Sequence, residues 1–408
     1  MYINRYIEAT IEEMTTHFKI LYVSGPRQVG KTTVLQRLAK QRGMDYVSLD
    51  DLRFRALAQK DPLLFLENHP PPLFIDEVQY APDLFSSIKL IVDRSQKNGQ
   101  YWITGSQHLA LMKGLKESLA GRVGVIELLG LSHAEETGLK RHVKPFLPNV
   151  PAVLKKSSPR VTSASVFQRI FRGSFPAVIT DRTMPLERFY GSYVQTYLDR
   201  DVRGFFGIEK MSLFQNFLGL VAARTGQILN ISQLARDASV SVHAAKSWIS
   251  ILETSGLVYL LRPFFSNISK RLIKAPKLYM LDTGLASYLT RWPDAVTLQH
   301  GSMAGAMFET YVVSEIVKSS VFRGLEPSLF FFRTREGTEI DFLIQQGDKY
   351  SPIEVKMTAA PCVDDIRNVI KFEQEIPGRL LPGAVISLTD RSYPLSRTMN
   401  ALPVSIIE

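Results

Sequence analysis

The segment Gly25-Pro26-Arg27-Gln28-Val29-Gly30-Lys31-Thr32 matches GxxxxGK(S/T) at every position, and it sits between the apolar run Ile20–Ser24 and the helical run TTVLQRLAK. Strand, glycine loop and helix in that order constrain the fold more than any other feature of the chain. The glycines let backbone N–H groups curl around an anion, and the helix start adds partial positive charge at the same place. The chemistry this suits is a nucleoside triphosphate. Lys31 would reach its β- and γ-phosphates, and Thr32, followed by Thr33, would offer a hydroxyl to Mg²⁺.

Around this loop, short apolar runs at 19–24, 46–49, 73–75, 101–104 and 123–129 alternate with helical patterns. Alternation of that kind predicts βαβ units, hence an α/β fold with a parallel sheet covered by helices on both faces. Leu73-Phe74-Ile75-Asp76-Glu77 is an apolar strand ending in two carboxylates. Asp76 is expected to hold the metal, and Glu77 to act as general base or to orient a water. Tyr101-Trp102-Ile103-Thr104-Gly105-Ser106 is a second such strand. Strand ends face the ligand crevice in a parallel sheet, so Thr104 or Ser106 would sense the γ-phosphate. Arg122 stands just before the next strand, where an arginine reaches a phosphate, often that of a neighbouring subunit; an oligomer would follow if it acts in trans.

Beyond residue 140 the pattern changes. Residues 141–163 carry four prolines, basic residues and a serine pair without apolar periodicity, as a linker would. Helical patterns follow at 186–201 and 213–224. Residues 231–261 read as helix, turn, helix and the first strand of a wing. The second of these helices bears His243, Lys246 and Ser247, which suit contact with DNA or simply a solvated face. After residue 300, a helix at 307–319 precedes strand-like runs at 329–333, 339–345, 351–355 and 383–388.

In this last region Asp341 lies on one strand, and Glu354 and Lys356 on the next. The alternation of a strand puts Glu354 and Lys356 on one face, and a hairpin turn at 346–349 would bring Asp341 beside them. Two carboxylates bind Mg²⁺ well, and a lysine beside them can orient or deprotonate a water for phosphodiester attack. Arg333, Arg335 and Lys349 would suit a phosphate backbone, or equally a solvated surface.

Lys and Arg number 49 against 39 acidic residues, a formal charge of +10. The excess favours polyanions, DNA or RNA included, and serves solubility as well. The single cysteine, Cys362, excludes an intrachain disulfide framework and a cysteine-based zinc site. No uninterrupted apolar run reaches about 18 residues, so no membrane span is expected and a cytoplasmic location fits best.

In order, GPRQVGKTT, LFIDEVQ, ITGSQ and SLAGRV resemble prokaryotic AAA+-type ATPases of unknown physiological role, in which the ATPase module precedes a domain of unknown function. GSFPAV, YVQTYLDRDV, KLYMLDTGLASYL, FETYVVSEI and TEIDFLI resemble the later part of the same proteins. The resemblance implies ATP as the nucleotide, Thr104 or Ser106 as first sensor, Arg122 as an arginine finger, and Arg200 or Arg203 as second sensor. The carboxyl-terminal set resembles a PD-(D/E)XK nuclease core, which implies Glu309 as its first acidic residue beside Asp341, Glu354 and Lys356. The expected organisation is an ATPase core at 1–140, a linker or mobile loop at 141–165, a helical and winged-helix-like domain at 166–300, and a nuclease-like α/β domain at 301–408. The expected function is Mg²⁺-dependent ATP hydrolysis coupled to a nucleic-acid-directed carboxyl-terminal domain. The alternatives are a nucleotide-gated protein-binding module with little turnover, and an ATP-regulated nuclease.

Overall fold

A computed structural model describes residues 2–105, 119–138, 144–148, 162–203, 211–264, 275–334 and 337–407. Five short strands, β1 (Ile20–Ser24), β2 (Asp45–Ser48), β3 (Leu73–Asp76), β4 (Tyr101–Thr104) and β5 (Val123–Glu127), form one sheet in the order β2-β3-β4-β1-β5. Every pairing in it is parallel.

Strands β1, β3 and β4 are buried at every position, as unbroken apolar runs require when both faces of a sheet are covered. The faces separate cleanly. Leu21, Val23, Phe74 and Trp102 point to one core, shared with the helices Ile7–His17 and Lys31–Gln41. Their neighbours Ile20, Tyr22, Leu73, Ile75, Tyr101 and Ile103 point to the other, closed by the helices Leu52–Lys60, Pro62–Asn68 and Leu84–Asp93. Because β4 lies between β1 and β3, the carboxyl ends of three adjacent strands bring the glycine loop, Thr104 and Asp76 to one edge.

The second sheet has nine strands among the described residues: β6 (Gln227–Ile228), β7 (Val258–Pro263), β8 (Lys277–Met280), β9 (Leu329–Arg333), β10 (Glu339–Gln346), β11 (Lys349–Lys356), β12 (Gly383–Ser387), β13 (Tyr393–Pro394) and β14 (Met399–Pro403). Their order is β13-β14-β12-β11-β10-β9-β7-β8-β6. The turn expected at 346–349 is a tight hairpin. Gln346 pairs with Lys349, and Gly347 takes φ 65°, the left-handed conformation such a turn favours. Strand β7 follows the helices Ile231–Asp237 and Val242–Thr254, as expected, and pairs antiparallel with β8.

Strand β7 also pairs in parallel with β9, Arg262 opposite Phe330 and Pro263 opposite Phe331. The sheet therefore runs on through the boundary expected at residue 300. The helix Ser163–Arg172, capped by the Thr162 side chain, begins inside the stretch expected as a linker to 165; most of that stretch lies outside the described residues.

The helix Ala304–Val321 is buried along most of its length and ties the two sheets together. Lys318 Nζ donates to the Leu131 carbonyl at 3.0 Å, and Thr10 Oγ1 donates to the Phe322 carbonyl at 2.7 Å. None of the described helices is long and apolar enough to cross a membrane.

Candidate functional site

The glycine loop has the backbone its sequence calls for. Gly25 (φ 136°) and Gly30 (φ 94°) occupy positive-φ conformations, and Gln28 joins them at φ 59°. At Gly25 the chain passes so close to the next strand end that an added Cβ would meet the Leu128 carbonyl oxygen at 2.0 Å. No larger residue fits there without moving the loop. Lys31 begins the following helix, and its ammonium lies over the loop, donating to the carbonyls of Gly25 and Pro26 at 2.8 Å each. Burial holds this ammonium below the usual lysine pKa; the nearby Glu77 charge opposes the shift and the Arg27 charge adds to it.

Asp76 is where the separate elements meet. Its Oδ2 accepts from Thr32 Oγ1 at 2.9 Å and from Tyr46 OH at 3.3 Å, and its Oδ1 accepts from Thr104 Oγ1. One buried carboxylate thus collects the helix start after β1, a tyrosine side chain of β2 and the end of β4. A hydroxyl and a carboxylate side by side are hard oxygen donors of the kind Mg²⁺ takes, so Thr32 and Asp76 fit that ion.

Glu77, the next residue, adopts φ 59° and ψ 44°. A non-glycine residue in the left-handed region is uncommon and gathers at functional positions. Here it turns the chain out of β3 while the Glu77 N–H reaches Thr104 Oγ1 at 3.4 Å and its side chain accepts from Gln79 Nε2. Of the two expected sensors, Thr104 is in this cluster, and Ser106 lies outside the described residues.

Arg122 stands apart from these groups. Its carbonyl accepts from Ile20 N, so it sits at the amino-terminal edge of β1 and β5, the edge away from the glycine loop. Its guanidinium pairs with Asp93 and donates to the Ala120 carbonyl at 2.9 Å. A phosphate contact from Arg122 would need the loop of another copy.

Two participants carry no signal in the sequence. Arg5 is buried, donating to the Val29 carbonyl of the loop at 2.8 Å, to the Leu129 carbonyl at 2.8 Å and to Glu135 at 3.0 Å. Asp201 makes a two-point ion pair with Arg27, 2.7 Å from Nε and 2.6 Å from Nη2. Burial alone would lower the Arg27 pKa, but its bond to Asp201 holds it above the usual arginine range. Arg200 and Arg203, expected as the second sensor, are exposed, and the side chain between them that meets the loop is acidic.

The carboxyl-terminal set is also brought together. Lys356 Nζ lies 2.8 Å from Glu354 and 3.8 Å from Asp341, and Asp341 Oδ2 accepts from the Val355 N–H at 2.8 Å. Three further residues join it. Buried Lys277, on β8, is 2.6 Å from Glu339, 3.3 Å from Glu309 and 3.9 Å from Asp341, while Tyr279 OH donates to Glu309 at 2.5 Å.

Burial, then the Asp341 charge, raises the Glu354 carboxyl to about 8 and the Glu309 carboxyl to about 7. Glu354 keeps Oε1 buried without a partner among the described residues; protonation makes that oxygen a donor, which accords with the raised pKa. Among the described residues no group of three or more His, Cys, Asp or Glu side chains is arranged to hold a metal ion. These carboxylates turn to lysines instead. Arg333 is 3.5 Å from Glu339, and Arg335 is outside the described residues. His243, Lys246 and Ser247 are exposed together on their helix.

Residues 17–137 match the model of an AAA domain. Residues 163–295 and 304–407 match two domains of unknown function (DUF8612 and DUF4143). The first sheet and its helices are a P-loop, AAA-like fold. Two uncharacterised proteins, of Mycobacterium bovis and Mycobacterium tuberculosis, are each 27% identical over 390 residues, 95% of this chain and 80% of theirs. Among solved structures, a Walker-type ATPase of Pyrococcus abyssi is similar over 71% of this chain and 96% of its own, at 15% identity and a TM-score of 0.43. The RuvB Holliday junction branch migration motor of Thermotoga maritima is similar over 62% and 87%, at 15% identity and a TM-score of 0.31.

Proposed function

We propose that the protein is a Mg²⁺-dependent ATPase whose nucleotide state repositions a carboxyl-terminal unit directed at nucleic acid. One observation carries the ATPase: the hydroxyls of Thr32 and Thr104, from two separate elements, converge on the Asp76 carboxylate at the foot of the glycine loop. In this reading the N–H groups from Gly25 to Thr33 cradle the phosphates, and Lys31 leaves its loop carbonyls to neutralise them. Thr32 and Asp76 hold the metal, which supplies charge neutralisation at the phosphates when bound. Glu77 orients or deprotonates the attacking water, and Thr104 links the Glu77 backbone N–H to the metal-binding carboxylate.

The test is ATP turnover by the full chain, with and without added DNA. Lys31→Ala should abolish it, and Glu77→Gln should keep ATP bound while stopping hydrolysis. If Glu77→Gln changes neither occupancy nor rate, the protein is a nucleotide-gated binder. Exposed His243, Lys246 and Ser247 on a helix followed by the antiparallel pair β7 and β8 support a winged-helix contact with nucleic acid.

A second reading, an ATP-regulated nuclease, is favoured by the grouping of Asp341, Glu354 and Lys356, joined to Glu309 through Lys277, and by the buried Glu354 Oε1 left without a partner among the described residues. Asp341 and Glu354 would hold Mg²⁺ or Mn²⁺, and Lys356 would handle the water. Nicking that needs the metal and disappears in both Asp341→Ala and Lys356→Ala would establish it. Nicking that survives either change would discard it.

A further inference from the structure

Two consecutive residues of the glycine loop are gripped from the middle of the chain. Arg27 is held by Asp201 through two bonds, and the two side chains are only 14% and 8% exposed. Asp201 belongs to a π-helical turn, Leu198–Arg203, anchored in the core by Leu198 and Val202. Such turns are rare and frequently mark functional positions. Pro26, one residue earlier, packs on Gly256 so closely that a Cβ added there would come within 2.9 Å of the proline ring. The two grips are linked, because Tyr197 OH and Ser255 Oγ are 3.2 Å apart. Ser255 and Gly256 follow directly on the helix Val242–Thr254, whose outer face carries His243, Lys246 and Ser247.

A guanidinium offers its fork to one anionic partner at a time with full geometry. Phosphates entering the loop present Arg27 with a second partner and set like charge close to the Asp201 carboxylate, in a site shielded from salt. We propose that Asp201 competes with the nucleotide's phosphates for Arg27, so that nucleotide binding opens this ion pair and releases the π-helical turn together with the Val242–Thr254 helix. This rests on the ATP site proposed above and gives that site its regulation. By linkage, whatever opens the pair while leaving the Arg27 cation in place must also strengthen nucleotide binding.

The experiment uses the full chain, a fluorescent ATP analogue with Mg²⁺, and hydrogen exchange of residues 198–203 and 242–254. Asp201→Asn should tighten analogue binding by roughly five-fold or more. Without nucleotide it should also raise exchange in both segments to the level the unaltered protein reaches with nucleotide bound. Arg27→Gln opens the same pair but removes the cation, so exchange should rise without tighter binding.

If Asp201 merely props up the loop, Asp201→Asn leaves affinity equal or weaker, and the proposal is overturned. It is overturned equally if the unaltered protein binds the analogue and neither segment changes its exchange, a result that needs no variant to fold. In both cases the ATP site stands. Failure of the unaltered protein to bind the analogue removes the ATP site and this proposal together.

Discussion

Replacing Glu135 by alanine strikes the contact on which the shape of the glycine loop depends. Glu135 is fully buried and accepts from Arg5 Nε at 3.0 Å and Tyr6 N at 2.8 Å through one oxygen, and from Ser132 N at 2.9 Å through the other. It also closes a capping box on the helix His133–Glu136. Arg5, itself 5% exposed, spends its other donors on the carbonyls of Val29, Leu129 and Gly130.

Alanine leaves a guanidinium charge buried with carbonyl dipoles alone, a loss of about 3–5 kcal/mol where a buried pair is broken from one side. Two N–H groups lose their acceptor as well, at about 1–3 kcal/mol each where water cannot replace it. Against a typical stability of about 5–15 kcal/mol, the first of these losses alone is a large fraction. Denaturant titration followed by circular dichroism should therefore show a much lower midpoint for Glu135→Ala. Glu135→Gln, which keeps an acceptor oxygen, should fall between it and the unaltered chain. Because Arg5 also fixes the Val29 carbonyl, affinity for a fluorescent ATP analogue should drop in the same order under conditions where each variant remains folded. An unfolding free energy within about 1 kcal/mol of the unaltered protein for Glu135→Ala would refute the buried-pair account.

Two other outcomes follow from the geometry. Gly25→Ala, with φ 136° and a Cβ driven against the Leu128 carbonyl, should cost about 1–3 kcal/mol in backbone strain and remove nucleotide binding; unchanged analogue binding would contradict the loop geometry. Glu354 and Glu309 have folded pKa values raised above the usual 4.5, to about 8 and about 7. The folded chain therefore holds these protons more tightly, and the resulting stability is present in full below pH 4.5 and lost as pH rises toward 8. At about 1.4 kcal/mol per unit the change amounts to a few kcal/mol for each carboxyl. The denaturation midpoint should fall between pH 5 and pH 8, and Glu354→Gln should flatten that slope; a slope indifferent to the substitution would reject the assignment.

What the sequence revealed was local, and what it hid was distant. The glycine loop, the Asp-Glu strand end and Thr104 were legible because each lies at the end of a short apolar run, and parallel strands deliver such ends to one edge. The hairpin carrying Asp341, Glu354 and Lys356 was legible for a similar reason, a glycine turn between two alternating strands. Asp201 was not. It meets Arg27 across 174 residues, and in the string LDRDVR the flanking arginines draw the eye while both are exposed. Lys277 was hidden too. It starts β8, four residues buried without alternation, and a lysine at the head of a short apolar run reads as a surface charge until β8 is seen beside β7. Strand β14 gave little warning, since Met399–Pro403 lacks β-branched residues.

The concealed position of Lys277 also bears on where functional units begin and end. The carboxylates of Glu309, Glu339, Asp341 and Glu354 all come from beyond residue 300, where like charges packed together and partly buried would repel one another. Lys356 faces two of them, and the ammonium that faces the rest comes from β8, before the boundary, carried in by the pairing of β7 with β9. The same β7 follows Gly256, the residue on which Pro26 of the glycine loop rests. A displacement at the loop therefore has a short covalent and packed route, through the 255–258 turn and β7, to the strand that supplies the cluster with its buried cation. Matches to separate sequence families divide the chain at about residue 300, but the charge balance of the carboxyl-terminal site is complete only when both sides of that division are folded as one sheet.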